Sequence, residues 1–281
     1  MTLIDFHIHV ARIGDYQPWV IDWTMANIGR ESAEAYLGQY LSTDGLQRLL
    51  DDNGLDYGVC LAEMSPICTG VTTNEYVAEM CRGNPRLIPF GSINPFMVAR
   101  PADEVRRCAT ELGIRGLKLY PTYQYFFPND AMMYPVYAVA QELGLPVMFH
   151  TGSSVFRGSR LKYGDPLLLD DVAVDFPGLK ILLVHGGRGF WYEKAAFLAR
   201  LHENVYLEIS GLPPAKLLTY FPELERLSNK VVFGSDWPGM PFIARNVEAI
   251  RALDLSEGAK ERILGRNAAA ILGISQTASP A

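Results

Sequence analysis

The sequence has no long apolar run, no closely paired cysteines and no excess of basic residues. No stretch of about 18 or more uninterrupted apolar residues occurs, so we expect no membrane span and no membrane partner. The four cysteines form no Cys-x-x-Cys pair, and a reduced, cytoplasmic protein is the simplest interpretation. The formal net charge is -6, which argues against nucleic acid as a partner.

A targeting segment is not expected either. The first residues already have the pattern of a strand and leave no room for a basic region followed by an apolar one. At the other end, residues 275–281 are small and polar, and we predict a disordered tail there. The remaining residues, 1–274, show no shift in composition and are predicted to form one domain.

Eight short β-branched and aromatic runs alternate with amphipathic stretches. The predicted strands are Leu3–Val10, Tyr57–Glu63, Leu87–Ile93, Gly116–Tyr120, Pro146–His150, Lys180–His185, Val205–Ser210 and Lys230–Asp236. The predicted helices are Gly45–Asn53, Asn74–Arg82, Pro101–Leu112, Ala131–Leu143, Pro166–Asp175, Trp191–His202, Ala215–Leu227, Arg245–Leu253 and Ser256–Leu272. This alternation predicts an α/β fold with a parallel sheet.

We predict that the sheet is closed into a single (β/α)8 TIM barrel. The strand count is eight, and polar residues follow strands one, five, six and eight, whose carboxyl ends meet only around a barrel mouth. No Gly-x-Gly-x-x-Gly turn follows the first strand, so a dinucleotide site has no support. The connection from Ala11 to Asp44 is unusually long, as lids and binding loops often are.

Four of the five histidines lie at predicted strand ends. His7 and His9 are two residues apart and share one side of the first strand, while His150, His185 and Asp236 end later strands. A single histidine at a strand end is more often structural than a ligand, and we also assign a structural role to the fifth histidine, His202, which lies on a predicted helix. Four histidines and an aspartate at one end of a barrel indicate a metal site, because imidazole and carboxylate groups bind zinc and similar ions.

These motifs resemble those of a known family. His7-Ile-His9, Met148-Phe-His-Thr-Gly152, Leu183-Val-His-Gly-Gly187 and Phe233-Gly-Ser-Asp-Trp-Pro238 are similar to motifs of the amidohydrolase superfamily. More narrowly, they resemble the amidohydrolase-related branch that includes aminocarboxymuconate-semialdehyde decarboxylase. The C-terminal segment Ile263–Leu272, with Asn267, is similar to the last helix of that branch. The resemblance runs from residue 3 to about residue 273.

The resemblance implies a site for one divalent metal ion, zinc first and manganese second. Its implied ligands are His7, His9, His150 and Asp236, which leave a position for water. The implied proton-transfer groups are His185 and Asp236. Homodimers are common in the branch, and we hold a homodimer as possible.

Lys118, in the fourth predicted strand, has two interpretations. Other branches of the superfamily carry a carboxylated lysine there that bridges two metals. In the mononuclear branch that this chain resembles more, Lys118 is expected to cap the barrel mouth or meet a substrate anion.

Further substrate-binding residues are expected in the strand–helix loops. Arg188 follows His185 closely and could hold a carboxylate through a bidentate fork. Tyr120, Trp191 and Trp237 are candidates for an aromatic pocket wall, which favours a small, ring-bearing substrate.

Three functions remain open at this point. The first is hydrolysis of an ester, lactone or amide carbonyl by activated water. The second is non-oxidative decarboxylation of an aromatic or unsaturated carboxylic acid, which needs the same residues. The third is a metal-binding barrel without catalysis, against which the complete set of expected ligands argues.

Overall fold

The computed structural model of the protein describes residues 2–28 and 33–275. The predicted tail, 275–281, therefore lies almost wholly outside the described residues. Within the described part of the chain, every helix is too short or too polar to pass through a bilayer.

The described residues form ten strands, and eight of them run parallel around a barrel. They are β1 (Ile4–His9), β2 (Tyr57–Leu61), β3 (Glu63–Ser65), β4 (Gly70–Thr72), β5 (Leu87–Phe90), β6 (Leu117–Leu119), β7 (Val147–Gly152), β8 (Ile181–Arg188), β9 (Val205–Glu208) and β10 (Val231–Val232). One sheet has the order β1-β2-β5 and a second has the order β10-β9-β8-β7-β6. The short strands β3 and β4 pair antiparallel as a separate hairpin.

Backbone hydrogen bonds join the two sheets at both edges. Gly91 bridges to Leu117, which connects β5 with β6. At the other seam the amide of Phe6 donates to the carbonyl of Phe233, and Ile8 bridges to Trp237. The strands therefore form the closed ring β1-β2-β5-β6-β7-β8-β9-β10, and the predicted TIM barrel is confirmed.

Helices surround this ring. They are α1 (Pro18–Ile28), α2 (Ala33–Leu37), α3 (Thr43–Asp52), α4 (Asn74–Cys81), α5 (Pro101–Glu111), α6 (Pro121–Gln124), α7 (Tyr134–Glu142), α8 (Leu169–Asp175), α9 (Tyr192–Leu201), α10 (Leu217–Tyr220), α11 (Leu224–Leu227), α12 (Ile243–Arg251), α13 (Glu257–Glu261) and α14 (Asn267–Leu272). The helix predicted over Ala215–Leu227 is wrong as one element. It divides into α10 and α11 because Pro222 cannot continue a helix.

Alternate residues of the barrel strands pack in two separate layers. One layer fills the barrel interior together with apolar residues of α14, and it includes Val59, Ile88, Met148 and Leu182. Their neighbours along the strands pack against the surrounding helices in the larger core. This period of two is what a barrel buried on both faces requires.

Irregular strand pairing interrupts that period of two in β1 and between β7 and β8. Between Asp5 and Ile8, β1 advances three residues while β2 advances two, so β1 contains a bulge. A second irregularity separates His150 from Gly152, where β8 takes two extra residues. Bulges change the direction of side chains, and these two lie beside His7 and His185.

The long first connection contains structure that the sequence did not predict. It holds a short 3₁₀ turn, α1 and α2. The β3–β4 hairpin supports it, because the amide of Gln17 donates to the Thr69 carbonyl and the indole of Trp19 donates to the Cys68 carbonyl. The hairpin thus holds α1 over the carboxyl ends of the barrel strands.

Candidate active site

A cavity lies at the carboxyl ends of the barrel strands. Its lining includes eight of the residues that the sequence singled out: His7, His9, Lys118, Tyr120, His150, His185, Arg188 and Asp236. The structure therefore brings together residues that are more than 200 positions apart in the sequence.

Three of these residues form a compact cluster of potential metal ligands. Nε2 of His7 and Nε2 of His9 are 3.1 Å apart, and each lies 3.3 Å from Oδ1 of Asp236. Burial alone would raise the pKa of Asp236, but His7 and His9 lower it, and the net shift is downward. The carboxylate is therefore ionised and faces two imidazole nitrogens. This donor set suits a divalent ion such as zinc or manganese.

His150 lies in the same cavity but outside that compact cluster. Its Nε2 is buried and has no hydrogen-bond partner among the described residues. Burial, with Lys118 and Arg188 nearby, lowers the pKa of His150 well below its ordinary value. A neutral imidazole with an unpaired buried nitrogen fits a further metal ligand.

Two glutamates that the sequence analysis missed lie behind the histidines. Oε2 of Glu208 is 3.3 Å from Nδ1 of His7, and Oε2 of Glu63 is 3.6 Å from Nδ1 of His9. A carboxylate at Nδ1 favours the proton there and leaves the Nε2 lone pair for a metal. The signal was an acidic residue at the end of an apolar strand, in Val205-Tyr-Leu-Glu208 and in Cys60-Leu-Ala-Glu63.

His185 has a different environment. Its Nδ1 donates to the backbone carbonyl of Ser210 at 2.9 Å, which leaves Nε2 as the unprotonated nitrogen. Burial, followed by the charge of Arg188, lowers the pKa of His185 well below its ordinary value. The imidazole is therefore neutral and can accept a proton.

Backbone conformation sets the direction of two site residues. His185 has φ 62° and Asp236 has φ 69°, both in the left-handed region. This conformation is uncommon outside glycine and costs about 1–2 kcal/mol per residue, less for aspartate. Gly211 leaves room between them, since a Cβ there would lie 2.8 Å from Oδ2 of Asp236 and 3.5 Å from Nδ1 of His185.

Lys118 is fully buried in β6 at the floor of the cavity. Its Nζ lies 3.4 Å from Nε2 of His7 and 5.0 Å from the centre of the Tyr120 ring. Burial lowers the pKa of Lys118, and the charge of Glu208 acts in the opposite direction. Lys118 thus places an amine next to the candidate ligands.

Arg188 lines the cavity, but part of its guanidinium already has a partner. Nε and Nη2 both donate to the backbone carbonyl of Ser153, at 3.3 and 3.0 Å. A bidentate fork from Arg188 to a substrate carboxylate stays a prediction. The carbonyl fixes the guanidinium, and Nη1 lies beside Gly211.

Aromatic residues form one wall and the roof of the cavity, but they are only partly those expected. Tyr120 lines the wall, whereas Trp23 of α1 and Phe156 meet edge to face with ring centres 5.3 Å apart. Trp237 is a correction, because its indole is completely buried in the core and donates to the hydroxyl of Tyr36. Trp191 also lies outside the lining, at the start of α9.

Curated relatives share about a quarter of their residues with this chain. One is 2-amino-3-carboxymuconate-6-semialdehyde decarboxylase of Dictyostelium discoideum, 25% identical over 72% of this chain and 65% of the relative, which is less than two thirds of its length. Another is gamma-resorcylate decarboxylase of Rhodococcus jostii (strain RHA1), 27% identical over 72% of this chain and 76% of the relative.

Solved structures match nearly the whole chain. An uncharacterised TIM-barrel protein of Bordetella bronchiseptica has TM-score 0.79 and 25% identity, with 98% of this chain and 99% of the other covered. A 5-carboxyvanillate decarboxylase of Novosphingobium aromaticivorans, complexed with manganese and a nitrobenzoic acid, has TM-score 0.64 and 19% identity, with 97% and 96% covered. At 19% identity, the likeness to this decarboxylase shows a shared fold. An amidohydrolase family model (Amidohydro_2) matches residues 4–274, and the chain therefore belongs to this amidohydrolase family.

Proposed function

We propose that this protein is a metal-dependent decarboxylase of a small aromatic or unsaturated carboxylic acid. The observation that carries the proposal is one cavity that holds the His7, His9 and Asp236 cluster together with Arg188 and a neutral His185. Both curated relatives described above are decarboxylases, which supports this reaction over the hydrolysis that we placed first from the sequence.

Each residue of the cavity has a separate role in this reaction. Arg188 binds the carboxylate of the substrate, and the aromatic wall holds the rest of the molecule out of water. The bond between carbon and the carboxylate breaks, carbon dioxide leaves, and the carbon keeps the electron pair. His185, through its unprotonated Nε2, or the carboxylate of Asp236 takes a proton from water and delivers it to that carbon, so that hydroxide and carbon dioxide are the other products. A divalent ion held by His7, His9 and Asp236 would supply positive charge that stabilises this electron pair.

His7, His9, Asp236 and His150 are the residues proposed to hold the ion. Zinc was our first expectation, and manganese has gained support because a structural neighbour was solved with it. We propose one ion per chain, and Lys118 as an uncarboxylated residue that faces the substrate anion. A metal content near two per chain, with carboxylated Lys118, would contradict this assignment.

The reaction itself can be tested directly. Protein loaded with manganese or with zinc is incubated with a panel of aromatic carboxylic acids and lactones, while carbon dioxide and acid release are measured together. We expect carbon dioxide from one or more carboxylic acids in proportion to loaded metal. Acid release from lactones without carbon dioxide would instead establish hydrolysis. Metal binding without turnover of any compound would favour the non-catalytic barrel.

Arg188 provides a second prediction. Arg188→Lys keeps a positive charge but loses the planar group that Ser153 fixes, and Arg188→Ala loses both. A hydrogen bond to a charged group is worth about 1.5–3 kcal/mol, so we expect Arg188→Ala to lower kcat/KM by about 10- to 100-fold. Arg200→Ala, on the outer surface, is the control. An unchanged kcat/KM in both Arg188 variants would remove Arg188 from substrate binding.

A further inference from the structure

Ser210 and Glu208 form a buried network behind the site, and both side chains are completely inaccessible to solvent. The Ser210 hydroxyl lies 2.8 Å from Nδ1 of His7 and 2.8 Å from Oε2 of Glu208. The other carboxylate oxygen, Oε1, accepts the backbone N–H of Ser210 at 3.0 Å. One carboxylate therefore contacts the serine at two points and the histidine at one.

The direction of these hydrogen bonds follows from the donor at Ser210. A backbone N–H can only donate, so Oε1 of Glu208 must accept. In the ionised carboxyl Oε2 is an acceptor too, and it faces both the Ser210 hydroxyl and Nδ1 of His7. Burial raises the pKa of Glu208 to about 8, while the charge of Lys118 favours the ionised form. Nδ1 of His7 thus faces the Ser210 hydroxyl oxygen at 2.8 Å and Oε2 of Glu208 at 3.3 Å, both of them acceptors. Nε2 faces one acceptor, Oδ1 of Asp236 at 3.3 Å, and one donor, Nζ of Lys118 at 3.4 Å, so the His7 proton lies on Nδ1 and the lone pair on Nε2.

We infer that Glu208 is a positioning residue that fixes the tautomer of His7 and so makes its Nε2 available to the metal. The chain leaves space for this carboxylate, because a Cβ at Gly234 would collide with Oε1 of Glu208. The backbone carbonyl of Ser210 accepts a hydrogen bond from the Nδ1–H of His185. Glu208 and Ser210 together therefore present the Nε2 atoms of His7 and His185 unprotonated. The inference depends on the proposed metal site and not on which reaction occurs there.

Glu208→Gln tests the inference because the Ser210 N–H also orients the new amide. The amide oxygen must occupy the Oε1 position, and the NH2 group then takes the Oε2 position and donates toward Nδ1 of His7. This drives the His7 proton to Nε2, where it competes with the metal. We expect manganese or zinc affinity, measured by calorimetry, to fall by about 10- to 100-fold.

Ser210→Ala and Ser228→Ala are matched comparisons. Ser210→Ala keeps the carboxylate 3.3 Å from Nδ1 of His7, so metal affinity should fall much less than in Glu208→Gln. Ser228 is also buried and hydrogen-bonded but precedes β10 at the opposite end of the barrel, and Ser228→Ala should bind metal normally. The double variant Glu208→Gln/Ser210→Ala should show the largest loss, because only the amide NH2 then faces His7.

The tautomer can be observed without activity or metal. Nitrogen-15 NMR of the metal-free wild type should show His7 protonated at Nδ1, and Glu208→Gln should move that proton to Nε2. Protonated Nε2 in the metal-free wild type would overturn the inference even if Glu208→Gln failed to fold. Wild-type metal affinity in a folded Glu208→Gln variant would overturn it as well. Loss of decarboxylation alone would concern the proposed function and not this inference.

Discussion

Asp236→Ala should remove the bound metal and reduce turnover by about a thousandfold or more, while the barrel still folds. Asp236 supplies the anionic member of the compact cluster, 3.3 Å from Nε2 of both His7 and His9. A bound ion typically contributes several kcal/mol to transition-state stabilisation, and each 1.36 kcal/mol is about tenfold in rate. Residues at the carboxyl-terminal mouth of a TIM barrel serve function more than stability, so the fold should survive.

Metal analysis after gel filtration is the decisive measurement. The wild type should contain close to one ion per chain, and Asp236→Ala, His7→Ala and His9→Ala should contain far less. Their thermal unfolding should be close to that of the metal-free wild type, because a bound ion itself stabilises the folded state. Glu257→Ala is a suitable control because its carboxylate is exposed on α13. Wild-type metal content in all three site variants would contradict the assignment of the ligands.

His185→Asn should keep the metal and lose about 100- to 10,000-fold in turnover, the usual effect of removing a positioned acid or base. His185 lies outside the compact ligand cluster, and its Nδ1 donates to the Ser210 carbonyl. Asparagine is the appropriate replacement because it tolerates a left-handed backbone, and His185 has φ 62°.

His202→Asn is the matched control for that variant. His202 bonds to Asp170 away from the cavity, so its replacement should leave both metal content and turnover unchanged. If His185→Asn instead purifies without metal, then His185 is a ligand and its proposed role in proton transfer is wrong.

The barrel and a metal site at its mouth could be predicted from local patterns, and the set of ligands followed from the family resemblance. Strand and helix periodicity, and the His-x-His spacing, are properties of a few consecutive residues. The β3–β4 hairpin was missed because Glu63–Thr72 looks like a strand end followed by a loop. Pro222 is a signal for a helix break, but the helical pattern on both sides of it favoured one continuous helix.

Other features depend on contacts between distant segments. The sequence predicts Trp237 as a pocket residue because it follows Asp236, but its ring packs into the core against Tyr36, and Trp23 lines the cavity instead. Glu208 could be seen as an unusual acid in an apolar strand. The pairing of Glu208 with His7 could not be predicted, because 201 residues separate the two and only closure of the barrel brings them together.

The bulge in β1 has a consequence for how this protein tolerates insertions and deletions. In a regular strand, adding or removing one residue reverses which side chains face inward. The extra residue between Asp5 and Ile8 is what allows Phe6 to pack in the barrel interior while His7, the next residue, faces the cavity. Deleting one residue here would restore an ideal strand and turn His7 and His9 relative to the packed residues before them. A one-residue deletion in this segment would therefore make the strand more regular but displace both candidate ligands. A substitution here changes one side chain and leaves the direction of the others intact.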